Sequence, residues 1–140
     1  MFMIPTLASL AGGDTSAVGR ALVASTRIAN RAGVLLVFGT DGGVLAHGKN
    51  AEEFVALSEA GLTPIDAIRT ATVNAARALG IADSVGTIGA GMSADIVAVD
   101  GDPLSDLGAL MRVRFVMLRG RVVELGAAAE YGARNRGERP

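Results

Sequence analysis

Hydrophobic positions change rhythm along this chain, and each rhythm predicts a different element. Phe2-Met3-Ile4-Pro5-Thr6-Leu7 reads as a short buried strand ending in a loop through Gly12, Gly13 and Asp14. Pro5, which has no amide to donate, weakens that strand. Beyond a cap at Thr15 or Ser16, Val18, Leu22, Ser25, Ile28, Ala29 and Ala32 recur at helical spacing until Gly33. Val34-Leu35-Leu36-Val37-Phe38 is then a continuous apolar run bounded by glycine, the pattern of a parallel strand covered on both faces. Strand, helix and strand together predict a right-handed βαβ unit.

Helical rhythm resumes after a polar loop. Asn50 and Glu53 have the spacing of a capping box, opening a helix with Phe54, Leu57 and Ser58 on its inner face and Gly61 at its end. Thr63 caps the next helix, Pro64 suits its first turn, and Asp66 complements the positive end of its dipole. Ile65, Ile68, Thr72, Ala75 and Leu79 form its expected buried stripe before Gly80. From Gly86 the period shortens. Asp95-Ile96-Val97-Ala98-Val99 reads as a strand before the turn Asp100-Gly101-Asp102-Pro103. Val113, Phe115 and Met117 alternate with Arg112, Arg114 and Val116, and Arg119-Gly120 turns that strand back into Arg121-Val122-Val123-Glu124 as an antiparallel hairpin. Gly126 to Pro140 carries no apolar period and is expected to be a frayed tail. No internal repeat is present.

Composition narrows the partners. The 140 residues are 50% hydrophobic and 19% charged, a globular balance in a chain long enough to bury a core. With 13 Lys and Arg against 14 Asp and Glu, and only 4% aromatic residues, nucleic acid is not an expected partner. The absence of cysteine excludes disulfides, thiolate metal sites and cysteine nucleophiles. Residues 1–10 are apolar but lack a basic leader, so they do not read as a signal peptide, and no run is long enough for a membrane span. The default location is cytoplasmic.

Three places could hold chemistry. Gly39-Thr40-Asp41-Gly42-Gly43 leaves the carboxyl end of the second strand, where α/β proteins meet their ligands. Asp41 is therefore either a site carboxylate or the first residue of an ordinary Asp-Gly turn. His47, the single histidine, reads as a ligand, a proton shuttle or a loop residue. One carboxylate and one imidazole fall short of a metal site. Gly89-Ala90-Gly91-Met92-Ser93-Ala94 matches a dinucleotide fingerprint letter for letter, yet a helix precedes it and a strand follows, which favours a tight turn.

Taken together, Phe38-Gly39-Thr40-Asp41-Gly42-Gly43, His47-Gly48-Lys49-Asn50, Ala60-Gly61-Leu62-Thr63-Pro64-Ile65-Asp66-Ala67-Ile68 and Ala71-Thr72-Val73-Asn74-Ala75-Ala76-Arg77-Ala78-Leu79-Gly80 resemble the end of a metal-dependent amidohydrolase of the imidazolonepropionase and prolidase-like group. The resemblance runs from Val34 to Glu124, and Ile4-Pro5-Thr6-Leu7 is similar to the group's penultimate barrel strand. It implies an α/β fold: the last βα units of a (β/α)8 TIM barrel over residues 1–85, part of a composite β-sandwich over 86–125, and a tail over 126–140.

The implied activity is hydrolysis of an amide, cyclic amide or dipeptide C–N bond. Asp41 would be metal ligand and general base, His47 a substrate contact, and the cofactor a divalent metal, Zn2+, in a binuclear site. The group's paired histidines, bridging lysine and later histidines have no counterpart here, so the expectation is a C-terminal fragment, inactive alone, whose partner is the missing N-terminal barrel portion. Unpaired strands would then favour homo-oligomers or aggregation. The alternative is a non-catalytic module derived from that family, which folds alone or self-associates and in which Asp41 is only a turn.

Overall fold

The computed structural model describes residues 1–11 and 16–123. The predicted loop through Gly12, Gly13 and Asp14 and the predicted tail lie outside the described residues.

Strand β1 (Phe2–Met3) pairs in parallel with β2 (Leu35–Leu36), with Phe2 opposite Leu35 and Met3 opposite Leu36. Helices α1 (Leu7–Ala11) and α2 (Ala17–Arg31) connect them. The strand-helix-strand order therefore holds, but both strands are shorter than their apolar runs. Past Met3, Pro5 cannot donate to a ladder, and Leu7 has already entered α1.

Ser16 caps α2 by accepting from the Gly19 amide at 3.1 Å, and Gly33, at φ +73°, takes the left-handed conformation that ends it. The buried face is rotated from the expected one. Val18 and Ile28 are exposed, while Gly19 and Thr26 are buried and Leu22, Val23 and Ala29 pack on the core. Thr26 enters that face because its hydroxyl is satisfied locally, donating to the Leu22 carbonyl at 2.9 Å.

Helix α3 spans Glu52–Glu59, and α4 (Pro64–Ala71) and α5 (Val73–Leu79) occupy the stretch expected to be one helix. Thr63 caps α4 and Gly80 ends α5 at φ +72°, as their residue types require. The break at Thr72 has a tertiary cause. It releases the Thr70 carbonyl to accept from the Phe38 amide at 3.0 Å, and it lets the Asn74 side chain donate to the Leu36 carbonyl at 3.0 Å. The edge of β2 that faces away from β1 is thus satisfied by the α4–α5 junction. The expected stripe shifts accordingly: Ala67, Thr70 and Ala76 are buried, whereas Ile65, Thr72 and Leu79 are exposed.

One core joins these elements. Leu7, Leu36, Leu45, Leu57, Ala60 and Ala67 meet in it, together with Leu107 from a 3-10 turn spanning Leu107–Met111. That turn ties the core to an antiparallel sheet of β3 (Ile96–Val99), β4 (Val113–Leu118) and β5 (Arg121–Val123) in the order β3-β4-β5. Leu118 sits opposite Arg121 across the expected Arg119-Gly120 turn. The nucleotide reading of residues 89–94 fails. Met92 donates to the Gly89 carbonyl at 3.2 Å in a tight turn, and β3 rather than a helix follows, so no helix N-terminus is there to receive a pyrophosphate. Among the described residues no helix is long and apolar enough to cross a membrane.

Candidate active site

The two parallel strands deliver two segments to one rim of the molecule. At that rim the two segments run close: a Cβ on Gly39 would collide with the Ile4 side chain, so glycine leaves room for Ile4 where the chain leaving β2 passes the chain leaving β1. Two residues on, Asp41 adopts φ +49°, a left-handed conformation that aspartate tolerates better than most residues. Its carbonyl accepts from the Val44 amide at 3.1 Å, closing the turn through the backbone. The Asp41 side chain is exposed and makes no hydrogen bond or ion pair with the described residues, so its carboxylate does not cap its own turn.

Leu45, buried in the core, anchors the loop beyond this turn. His47 is exposed on the same loop and makes no hydrogen bond to Asp41. The Lys49 carbonyl accepts from the Glu52 amide at 2.9 Å, while Lys49 Nζ lies 3.6 Å from Glu52 Oε1, an exposed pair of small energetic weight.

The capping box expected from Asn50 and Glu53 does not form. Helix α3 has no side-chain cap, and the Glu53 carboxylate reaches across the fold to the start of α1. Oε1 accepts from the Leu7 amide at 3.0 Å and Oε2 from the Ala8 amide at 2.6 Å, with the Glu53 side chain fully buried. Burial pushes the carboxyl up from 4.5 to about 7, against the opposing pull of the Ala8 and Leu7 amides. Sequence reasoning placed Glu53 in a local motif. Its partners are 46 and 45 residues away, and the one available signal was an acidic residue on the apolar side of a helix.

A model of the amidohydrolase family matches residues 15–123. The chain belongs to the amidohydrolase family. Solved structures of several hydrolases resemble it. A Xaa-Pro dipeptidase with methionine in its active site is 32% identical, with a TM-score of 0.81 over 89% of this chain and 34% of that one. A prolidase complexed with N-methylphosphonate-L-proline is 31% identical, with a TM-score of 0.72 over 88% and 35%. An amidohydrolase is 31% identical, with a TM-score of 0.73 over 87% and 34%. This amidohydrolase chain therefore spans about a third of the length of the solved structures it matches. A search of curated protein sequences returned no match.

Amidohydrolases generally use divalent metals, and the donor set tests whether these residues suit one. Zinc takes about three or four protein ligands. Asp41 offers one exposed carboxylate, and among the described residues no group of three or more His, Cys, Asp or Glu side chains is placed to hold an ion. The described residues do not fit a complete metal site. At the rim Asp41 is a single candidate ligand.

Proposed function

We propose that this chain is the C-terminal portion of a metal-dependent amidohydrolase that cleaves a C–N bond in an amide, cyclic amide or dipeptide, with Asp41 contributed to a site completed by the rest of a (β/α)8 barrel. The observation that carries the reading is the state of Asp41: an exposed carboxylate without a partner among the described residues, held at φ +49° at the carboxyl end of β2. Barrel enzymes place their chemistry at that end of their strands. On this reading residues 1–85 are the last βα units of the barrel, 86–125 join a β-sandwich, and the absent portion supplies the other ligands to zinc.

Asp41, with ligands from the rest of the barrel, would hold a divalent metal whose chemistry there would be to activate water and polarise the scissile carbonyl. Asp41 does the proton work. Its carboxylate accepts a proton from the attacking water and returns it to the nitrogen of the departing amine, so the residue is restored after each turnover. Exposure suits the role, because the carboxylate has no bond within the described residues to give up before it can reach water or metal. His47, exposed on the same loop, is the candidate contact for substrate. The likeness to a Xaa-Pro dipeptidase and a prolidase makes dipeptides the first substrates to try. Phe2 and Ile4, half exposed around β1, leave apolar surface that a neighbouring barrel strand would cover.

Reconstitution tests this. The purified 140-residue chain should show no zinc-dependent hydrolysis of Xaa-Pro dipeptides or N-acyl amino acids, and mixing it with the N-terminal two-thirds of the similar Xaa-Pro dipeptidase should create that activity. Turnover by the isolated chain would overturn the shared site. An assembly that forms and stays inactive with both substrate classes would overturn the amidohydrolase reading.

A further inference from the structure

Among the described residues Glu53 is the one buried carboxylate that the proposed chemistry leaves without a task, and its position is unusual for a structural residue. It lies in the first turn of α3, after the loop that carries Asp41 and His47, and its two oxygens hold the first two amides of α1, directly after the segment that leaves β1. One side chain thus grips both segments at the rim. Leu7, Ala8 and Leu45 share a core around this grip, and the Ile4–Gly39 approach forms a second point of contact nearer the strands. We propose that Glu53 is a positioning residue, which sets the spacing between the segment leaving β1 and the Asp41 loop and thereby the place of Asp41 at the rim. The assignment of a purpose to that spacing rests on the amidohydrolase reading above, but the spacing itself does not.

The chemistry of the grip favours a device over filler. Two adjacent amides at a helix start point the same way, and a carboxylate matches both with one acceptor each. Glutamine would keep one acceptor and turn a donor towards the other amide. An apolar side chain would leave two buried donors unmet. Among the described residues no other charge shares the work. Helix α1 contains no ionisable residue. Asp66 of α4 pairs with Arg69, and Asp106, beside the 3-10 turn, pairs with Arg112, both at the surface. On α3 itself Glu52 pairs with Lys49, and Glu59 is exposed. Protonation of Glu53 would remove one acceptor from the amides while relieving the larger cost of the buried charge, so the carboxyl can be titrated in place as a probe of what it holds.

The test is amide NMR on the full chain without metal or substrate. In Glu53→Gln, exchange of the Leu7 and Ala8 amides should accelerate at least tenfold while the α5 amides stay within twofold, and the resonances of residues 41–47 should shift. A second measurement keeps the glutamate and removes the imidazole of the same loop: in His47→Gln, the amides of Leu7 and Ala8 and those of residues 41–46 should shift with pH through one common midpoint. That common titration should vanish when Glu53→Gln is added, a signature that mere loss of stability would not produce. If Glu53→Gln does not fold, the titration of His47→Gln alone decides. Opening at Leu7 and Ala8 with an unmoved Asp41 loop, in either measurement, would overturn the proposal. Since neither arm contains metal, failure of Asp41 to bind zinc would refute the functional reading and leave this one standing.

Discussion

Asp41 and Glu53 both follow β2, twelve residues apart, and the fold treats them in opposite ways. Asp41 stands exposed, on a left-handed backbone, with no bond to its carboxylate among the described residues. Glu53 is fully buried, with both oxygens bonded to main-chain amides 3.0 and 2.6 Å away. Burying a charge is costly unless it is well bonded, so Glu53 stays where the architecture uses it. An exposed carboxylate with no bond among the described residues contributes little to folding, which leaves it available for the role proposed above. The contrast separates a group that builds the rim from one that the rim presents.

Substitutions at the two positions should differ in kind. The largest effect on stability is expected from Glu53→Ala, which strands two buried amides and should cost about 2–5 kcal/mol in denaturant unfolding. A cost within error would mean that water replaces the carboxylate and that the grip carries no weight.

The same residue should shape the pH profile. Its folded carboxyl lies near 7 against an ordinary value of 4.5, so the folded state holds the proton more tightly than the unfolded one. Stability from this group is therefore fully present below about 4.5 and is lost as pH rises through about 7, flattening above. Asp66, Asp95, Asp100, Asp102 and Asp106 work in the opposite sense. Hydrogen bonds, led by Thr63 for Asp66, the Arg119 amide for Asp95, Arg114 for Asp100, Ser105 for Asp102 and Arg112 for Asp106, hold them below the usual 3.8. Their contribution is lost only as pH falls through those lowered values. Being exposed, they should matter less than Glu53. Melting temperatures between pH 5 and 8 should decline for the wild-type chain and be flat for Glu53→Gln.

Next comes Gly39→Ala, where the new methyl meets Ile4 and should cost about 1–3 kcal/mol, with partial recovery in the double variant carrying Ile4→Ala. Additive costs would show that the two strand ends do not touch in solution. The smallest effect on stability is expected at Asp41. Asp41→Asn should change unfolding by less than about 0.5 kcal/mol, because no bond among the described residues is lost and asparagine tolerates the same φ.

What the sequence revealed follows the range of the forces involved. The Ser16 and Thr63 caps, the Gly33 and Gly80 stops and the Arg119-Gly120 hairpin each depend on neighbours within a few residues, and each appears where its residue type requires. The amidohydrolase motifs were legible for the same reason. The rotated face of α2, the break at Thr72 and the true partners of Glu53 were not legible. Periodicity cannot tell Val18 from Gly19 as the core-facing position before the core exists. Nor does a helical pattern disclose that Thr70 and Asn74 will be used to close the edge of β2. Asp41 was found as a candidate because Asp-Gly after a buried strand is a local signal, and its lack of a partner among the described residues emerged only with the fold.

The most direct measurement of the central claim is kcat/KM for zinc-dependent Xaa-Pro hydrolysis by the assembly of this chain with the N-terminal two-thirds of the Xaa-Pro dipeptidase, comparing wild type with Asp41→Asn. Loss of a general acid–base group alone removes about 10²- to 10⁴-fold, and loss of a metal ligand can only add to that. The account predicts a fall of at least about 10²-fold with the assembly intact. Activity within threefold of wild type would contradict it.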